Sequence, residues 1–234
     1  MLATGLATGA SAQTGPGDKS RQLATVSQPV VQAVPANTPA NKGMQLNEAL
    51  GRLARNPQDV AALIDAGRTS LVIGDVDAAI GFYQRADQLS PGNARVKAGL
   101  AGAYVQSGDA ITALPLFDEA EKQGRIEPAL LADRGLAYDL VGDNATAQRY
   151  YREALAAGPN EEATRRLGLS QAIAGDRRGM EITLSPMLQG FDMGAWRTRA
   201  FGFAILGIPD EAESITRQVM PPQEAAQMSA YGKI

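Results

Sequence analysis

PALLADRGLAYDLVGDNATAQRYYREALAAGPNE, residues 128–161, is the stretch on which the fold turns. It places Leu131, Gly135, Tyr138, Ala147, Tyr151 and Ala154 at helical spacing on either side of Gly142-Asp143 and ends at Pro159. The glycine permits a left-handed end to a first helix, and the aspartate after it can accept from the free N–H groups that open a second. Working outward, the same dipeptide stands at Gly74-Asp75, Gly108-Asp109 and Gly175-Asp176, giving successive separations of 34, 34 and 33 residues, and Gly207 follows 32 further on. A period of this size marks a repeat architecture, in which each helical pair cannot bury its apolar face alone and must stack on its neighbours.

The neighbouring units fill in around that series. Residues 60–93 supply Leu63, Ala66, Gly67, Ala79, Tyr83, Ala86 and Pro91 at positions 4, 7, 8, 20, 24, 27 and 32 of a 34-residue unit. Residues 94–127 supply Leu100, Ala101, Tyr104, Ala113, Phe117 and Ala120. Two degenerate units follow near 162–191, with Leu167, Gly168, Met180, Leu184 and Met187, and near 193–222, with Trp196, Ala200, Phe203 and Ala212. Upstream, Leu46 to Arg55 before Pro57 reads as the second helix of a half-repeat that caps the first unit. These spacings resemble the tetratricopeptide repeat (TPR). The resemblance implies an all-α fold, a right-handed superhelix (α-solenoid) of helix-turn-helix units, with about five repeats and an N-terminal half-repeat over residues 44–222. Small residues at positions 8, 20 and 27 let helices approach, and aromatics at 11 and 24 fill the space between them. Trp196 is expected in the core, and Pro115, inside a second helix, is expected to kink or shorten it.

Composition narrows the function. The 22 basic and 25 acidic side chains leave a net charge of −3, so no basic field for a nucleic-acid backbone exists. There is no cysteine and no histidine, which excludes disulfides, Cys/His zinc sites, thiol nucleophiles and Ser-His-Asp catalysis. With no P-loop, dinucleotide fingerprint or Gly-x-Ser-x-Gly elbow either, a non-enzyme without cofactor or metal is expected. Asn144-Ala145-Thr146 fits a glycan acceptor pattern but lies in a helix-capping turn.

Residues 1–43 contain no aromatic residue, four charged residues and four prolines, a composition that reads as a disordered leader and linker. Within it Ala10-Ser11-Ala12 has signal-peptidase spacing. Two readings stand: a clipped export signal, placing the chain in the periplasm or envelope of a Gram-negative bacterium, or a plain Ala/Gly tail on a cytoplasmic protein. No apolar run reaches membrane-span length, and residues 223–234 read as a C-terminal tail.

In TPR proteins, positions 2, 5, 9, 12 and 13 of the first helix line the inner face of the superhelix. Carried across, the resemblance implies a partner groove containing Arg68, Leu71, Val105, Leu136, Asp139, Arg165, Leu169, Arg197 and Phe201. Arg165, Arg166, Arg197 and Arg199 form an arginine-rich C-terminal half suited to a carboxylate. The lysine and asparagine clamp for chaperone tails is absent at the corresponding positions. Leader, Pro-rich linker and repeats together are similar to the TPR part of bacterial envelope TPR/SPOR-type proteins, although nothing SPOR-like follows Pro221-Pro222. The expectation is a protein or peptide partner, held by a non-catalytic envelope scaffold. The alternatives are a pilus or secretion-system assembly factor and, from another class, an accessory fragment of an envelope enzyme.

Overall fold

Asp75, Asp109, Asp143 and Asp176 each accept the N–H three residues ahead, from Ala78, Thr112, Thr146 and Gly179 at 2.8–3.1 Å. The glycine before each has φ between 81° and 88°, the left-handed region that a side chain disfavours. Each Gly-Asp pair is thus one helix end and one helix cap, the role its period implied. The computed structural model describes residues 39–124 and 126–221, all within one compact unit. The leader and tail, including Ala10-Ser11-Ala12, lie outside the described residues.

Eleven helices and no strand occur among the described residues. Helix α1 (Pro39–Arg55) is followed by five pairs: α2 (Val60–Ile73) with α3 (Val76–Leu89), α4 (Ala94–Gln106) with α5 (Ala110–Gln123), α6 (Pro128–Leu140) with α7 (Asn144–Ala156), α8 (Glu161–Ile173) with α9 (Arg177–Gln189), and α10 (Met193–Ile205) with α11 (Pro209–Val219). The first helices of the pairs, here the A helices, open on their own caps: Asp59, Asn93, Asn160 and Asp192 accept from N–H groups of α2, α4, α8 and α10. Gly207 keeps the left-handed turn at φ 71°, but Ile208 follows it, so α11 starts without a side-chain cap and relies on Pro209 at its first position.

Close approach explains the small residues. A Cβ on Gly135 would lie 2.6 Å from the Tyr151 ring, and one on Gly67 2.8 Å from the Tyr83 ring. Position 8 is therefore the seat of the position-24 side chain within each unit. The largest buried cluster runs through units two to four, from Ala98 to Leu167, around Phe117 and Tyr151.

Three details depart from the sequence reading. Helix α1 begins at Pro39, ahead of Leu46 where the expected helix opened, because proline is well suited to a first helical turn, where no N–H is needed. Pro115 does not shorten α5, whose 14 residues equal those of α3. The carbonyl it deprives is that of Ile111, at 81% exposure, where water can take the place of the missing N–H. Trp196 is only half buried: it packs on the C-terminal core, but the Arg199 guanidinium lies 5.6 Å from its ring and the two line a shallow surface recess.

The caps also set the acid response. Thr146 and Thr112, through side chain and N–H, hold the Asp143 and Asp109 carboxyls below the usual range, and the Ala62 N–H does so first for Asp59. A folded pKa below the unfolded one stabilises above about pH 4 and is lost as pH falls through the lowered value. Helicity followed by circular dichroism is expected to hold down to about pH 4 and fall below it. Asp109→Asn with Asp143→Asn, which caps without titrating, should reduce the acid loss.

Candidate functional site

Successive A helices pack on one another, α2 on α4, α4 on α6, α6 on α8 and α8 on α10, while contact between successive second helices is slight or absent. The A helices therefore form the tighter, inner layer of the solenoid, and their exposed side is its concave face. On that face α2, α4 and α6 enclose a cleft of about 420 Å³. Ile64, Leu71, Val72, Ala129 and Leu130 give it an apolar lining, and Asp65, Arg68, Arg95, Glu127 and Asp133 give it charge. On the α4 side it is bounded by Gly99 and by the Tyr83 ring that lies across that glycine.

Of the sequence-derived groove residues, Arg68 and Leu71 lie in this cleft. The rest are not brought to it. Val105 is buried within the core cluster of units two to four, so it supports the groove from beneath. Leu136 is partly buried against that same cluster, Leu169 is half-buried, and Phe201 stands 43% exposed. Asp139 is committed to packing: it accepts from Asn144 Nδ2 at 2.7 Å, Tyr151 Oη at 2.8 Å and Ser170 Oγ at 2.7 Å. That also accounts for the Asn144 amide.

The C-terminal arginines are largely engaged within the chain. Arg165 pairs with Glu162 at 3.0 Å and Asp192 at 3.5 Å, Arg166 with Asp133 at 2.8 Å and Glu162 at 2.9 Å, and Arg199 with Glu181 at 3.4 Å. Arg197 is exposed on α10. Burial raises the Asp133 carboxyl above its ordinary range, against the pull of Arg166. A ligand carboxylate at Arg165 thus competes with internal partners, whereas the cleft of the first three units is open.

Positions 2 and 13 of the repeat supply Arg95, Ala129, Val72 and Gln106 to the cleft, so the positional rule contains them although the carried-over residues came from positions 5, 9 and 12. Position 6, which supplies Asp65, Gly99 and Asp133, lies outside that rule, and so does Tyr83.

Fold and face together define an α-solenoid of helix-turn-helix repeats with an open A-helix groove. Residues 73–132 match the model of the tetratricopeptide repeat family, and the same helix-turn-helix unit continues on both sides of that match. Among solved structures it is similar to a chain of the APC/C hetero-tetramer Cut9-Hcn1, with TM-score 0.63 and 13% identity over 83% of this chain, which spans 38% of that one. PilW, a type IV pilus biogenesis factor, has TM-score 0.64 and 14% identity, covering 82% of this chain and 90% of its own. YrrB, a TPR protein with an unusual peptide-binding site, has TM-score 0.56 and 17% identity over 80% and 98%. At these identities the likeness is one of fold. No curated protein sequence matches the chain significantly.

Proposed function

We propose that this protein is a non-catalytic scaffold of the bacterial cell envelope, which holds a peptide or protein segment along its A helices. The observation that carries this reading is the cleft shared by α2, α4 and α6, whose size and mixed apolar and charged lining suit a few side chains of a bound segment. From there the segment passes Leu136 and Leu169 towards Phe201, with Arg165 and Arg197 beside it. The repeat fold supports a protein or peptide partner. The net charge of −3 argues against nucleic acid, and no helix among the described residues is long and apolar enough to cross a membrane. The signal-peptidase spacing at Ala10-Ser11-Ala12 supports the envelope location. Pilus assembly has the fold likeness to PilW, at 14% identity, in its favour.

Affinity capture of the full chain from its own envelope fraction, followed by mass spectrometry, tests the scaffold. Charge reversal at Arg165 would set like charges beside Glu162 and Asp192, so neutral Arg165→Gln with Arg197→Gln is the cleaner probe of the C-terminal half. The double variant is expected to weaken capture of that partner about threefold to tenfold while the thermal melt stays near that of wild type. Equal capture by both proteins would remove these arginines from the groove.

A further inference from the structure

Two tyrosines occupy position 24 of their units and meet opposite surroundings. Tyr151, in unit three, donates its hydroxyl to Asp139, which also binds Asn144 and Ser170. In unit one the residues at the corresponding positions are Leu71, Val76 and Ala103, so Tyr83 has none of that polar network around it. Unit two meets an equally apolar setting, Val105, Ala110 and Ala137, with Phe117. Packing alone therefore asks for phenylalanine at 83, yet a hydroxyl is kept there. Tyr83 is 4% exposed, and its hydroxyl makes no hydrogen bond within the described residues. Its ring crosses the backbone of α4 at Gly99, where any Cβ would overlap it, and it lines the cleft. Burial raises its pKa to about 12, so the group is a neutral donor across the physiological range.

The charges around this donor are unequal in what they offer. Asp65 and Asp133 are already held from outside the cleft, by Arg52 at 2.8 Å and Arg166 at 2.8 Å. Arg68 and Arg95, with side chains 70% and 64% exposed, are the most accessible ions of the lining, and their pairings with Asp65 and Glu127 are surface contacts that a ligand can exchange at small cost. Beside them Ile64, Leu71 and Leu130 give the cleft its apolar wall.

We infer that the cleft of α2, α4 and α6 is the specificity pocket for a peptide segment that seats one large apolar side chain against Ile64, Leu71 and Leu130, accepts a hydrogen bond from the Tyr83 hydroxyl, and carries an acidic residue towards Arg68 and Arg95. This rests on the peptide-groove reading and locates its selective contact in the first three units. The hydroxyl opens onto the cleft without a partner in the chain, so a ligand carbonyl can take its hydrogen bond without displacing an internal one.

The test is selection of a phage-displayed random peptide library on the full chain, with the enriched peptides then measured against variants by calorimetry. Enriched sequences should pair a Phe, Trp, Leu or Met with a nearby Asp or Glu. Tyr83→Phe should lower their affinity about threefold to tenfold while the melting temperature is unchanged, since the oxygen that is lost has no partner in the chain. Arg68→Gln with Arg95→Gln, which removes the two accessible cations of the lining, should lower affinity about threefold to tenfold. Peptides that bind both variants as well as wild type, with a footprint near Leu136, Leu169 and Phe201, overturn the pocket and leave the groove reading standing. A selection that enriches nothing overturns both.

Discussion

Asp139→Ala is expected to lower the free energy of unfolding by about 3 kcal/mol, because three donors would lose their shared acceptor at once and two of them belong to buried residues. The carboxylate stands at the junction of α6, α7 and α8, binding Asn144 and Tyr151 of the second helix of its own unit and Ser170 of the next A helix. Burial, and after it the Asp139 charge, push the Tyr151 hydroxyl far above its ordinary pKa, so it stays a proton donor at any physiological pH. Tyr151→Phe, by contrast, removes one donor and leaves the carboxylate two, and should cost less than about 1 kcal/mol. Urea unfolding of the two variants checks the pair. The comparison also separates two roles for Asp139: a groove residue would lose partner binding at unchanged stability, whereas a junction residue loses stability first. An Asp139→Ala protein as stable as wild type would discard the junction.

How far the sequence carried depends on whether a residue's role is local. The Gly-Asp turns were legible because a left-handed glycine and a capping aspartate act within a few residues, and every predicted pair does so. Gly67 and Gly135 were legible through their period. Arg134 was not: it stands at position 7, where a small or apolar residue is the rule, yet it is 3% exposed. It is held by Asp118 at 2.7 Å and Glu121 at 3.0 Å from the preceding α5, and its guanidinium lies 4.5 Å from the Tyr150 ring. Lys97 likewise reaches Asp87 and Glu119 at 3.1 Å on α3 and α5. Three of these four pairs join helices of different units, and only the superhelical arrangement shows which acids a given cation meets. The groove has the same character. A positional rule finds helix faces, and so found Arg68 and Leu71, but which face residues open onto a cleft depends on how α2, α4, α6 and the Tyr83 ring pack together. For Asp139 and Val105 the position was right for the groove, and the hydroxyls and core side chains around them turned the residues inward.

Phe117→Ala is the substitution expected to cost most, about 3–5 kcal/mol, the usual toll of truncating a fully buried aromatic. The ring is 0% exposed and sits in the cluster that joins units two to four. In a solenoid, stability is a sum of unit terms and nearest-neighbour interfaces, so a cavity here weakens a link in the chain of units as well as one unit. The expected result is therefore a change in the form of unfolding: the units before α5 and those after α6 should part, giving a denaturation curve in two phases where wild type shows one. Hydrogen exchange would show the same break as lowered protection in α5 and α6 ahead of α8 and α10. The cleft spans α2, α4 and α6, so loosening α4 against α6 should also weaken any ligand held there, although Phe117 does not line it. Trp196→Ala is the control of similar size, a half-exposed aromatic near the C-terminal end whose loss should cost less and leave the N-terminal cleft intact. If Phe117→Ala instead unfolds in one phase with binding retained, the units are coupled through the A-helix layer, and the groove is held by α2, α4 and α6 themselves.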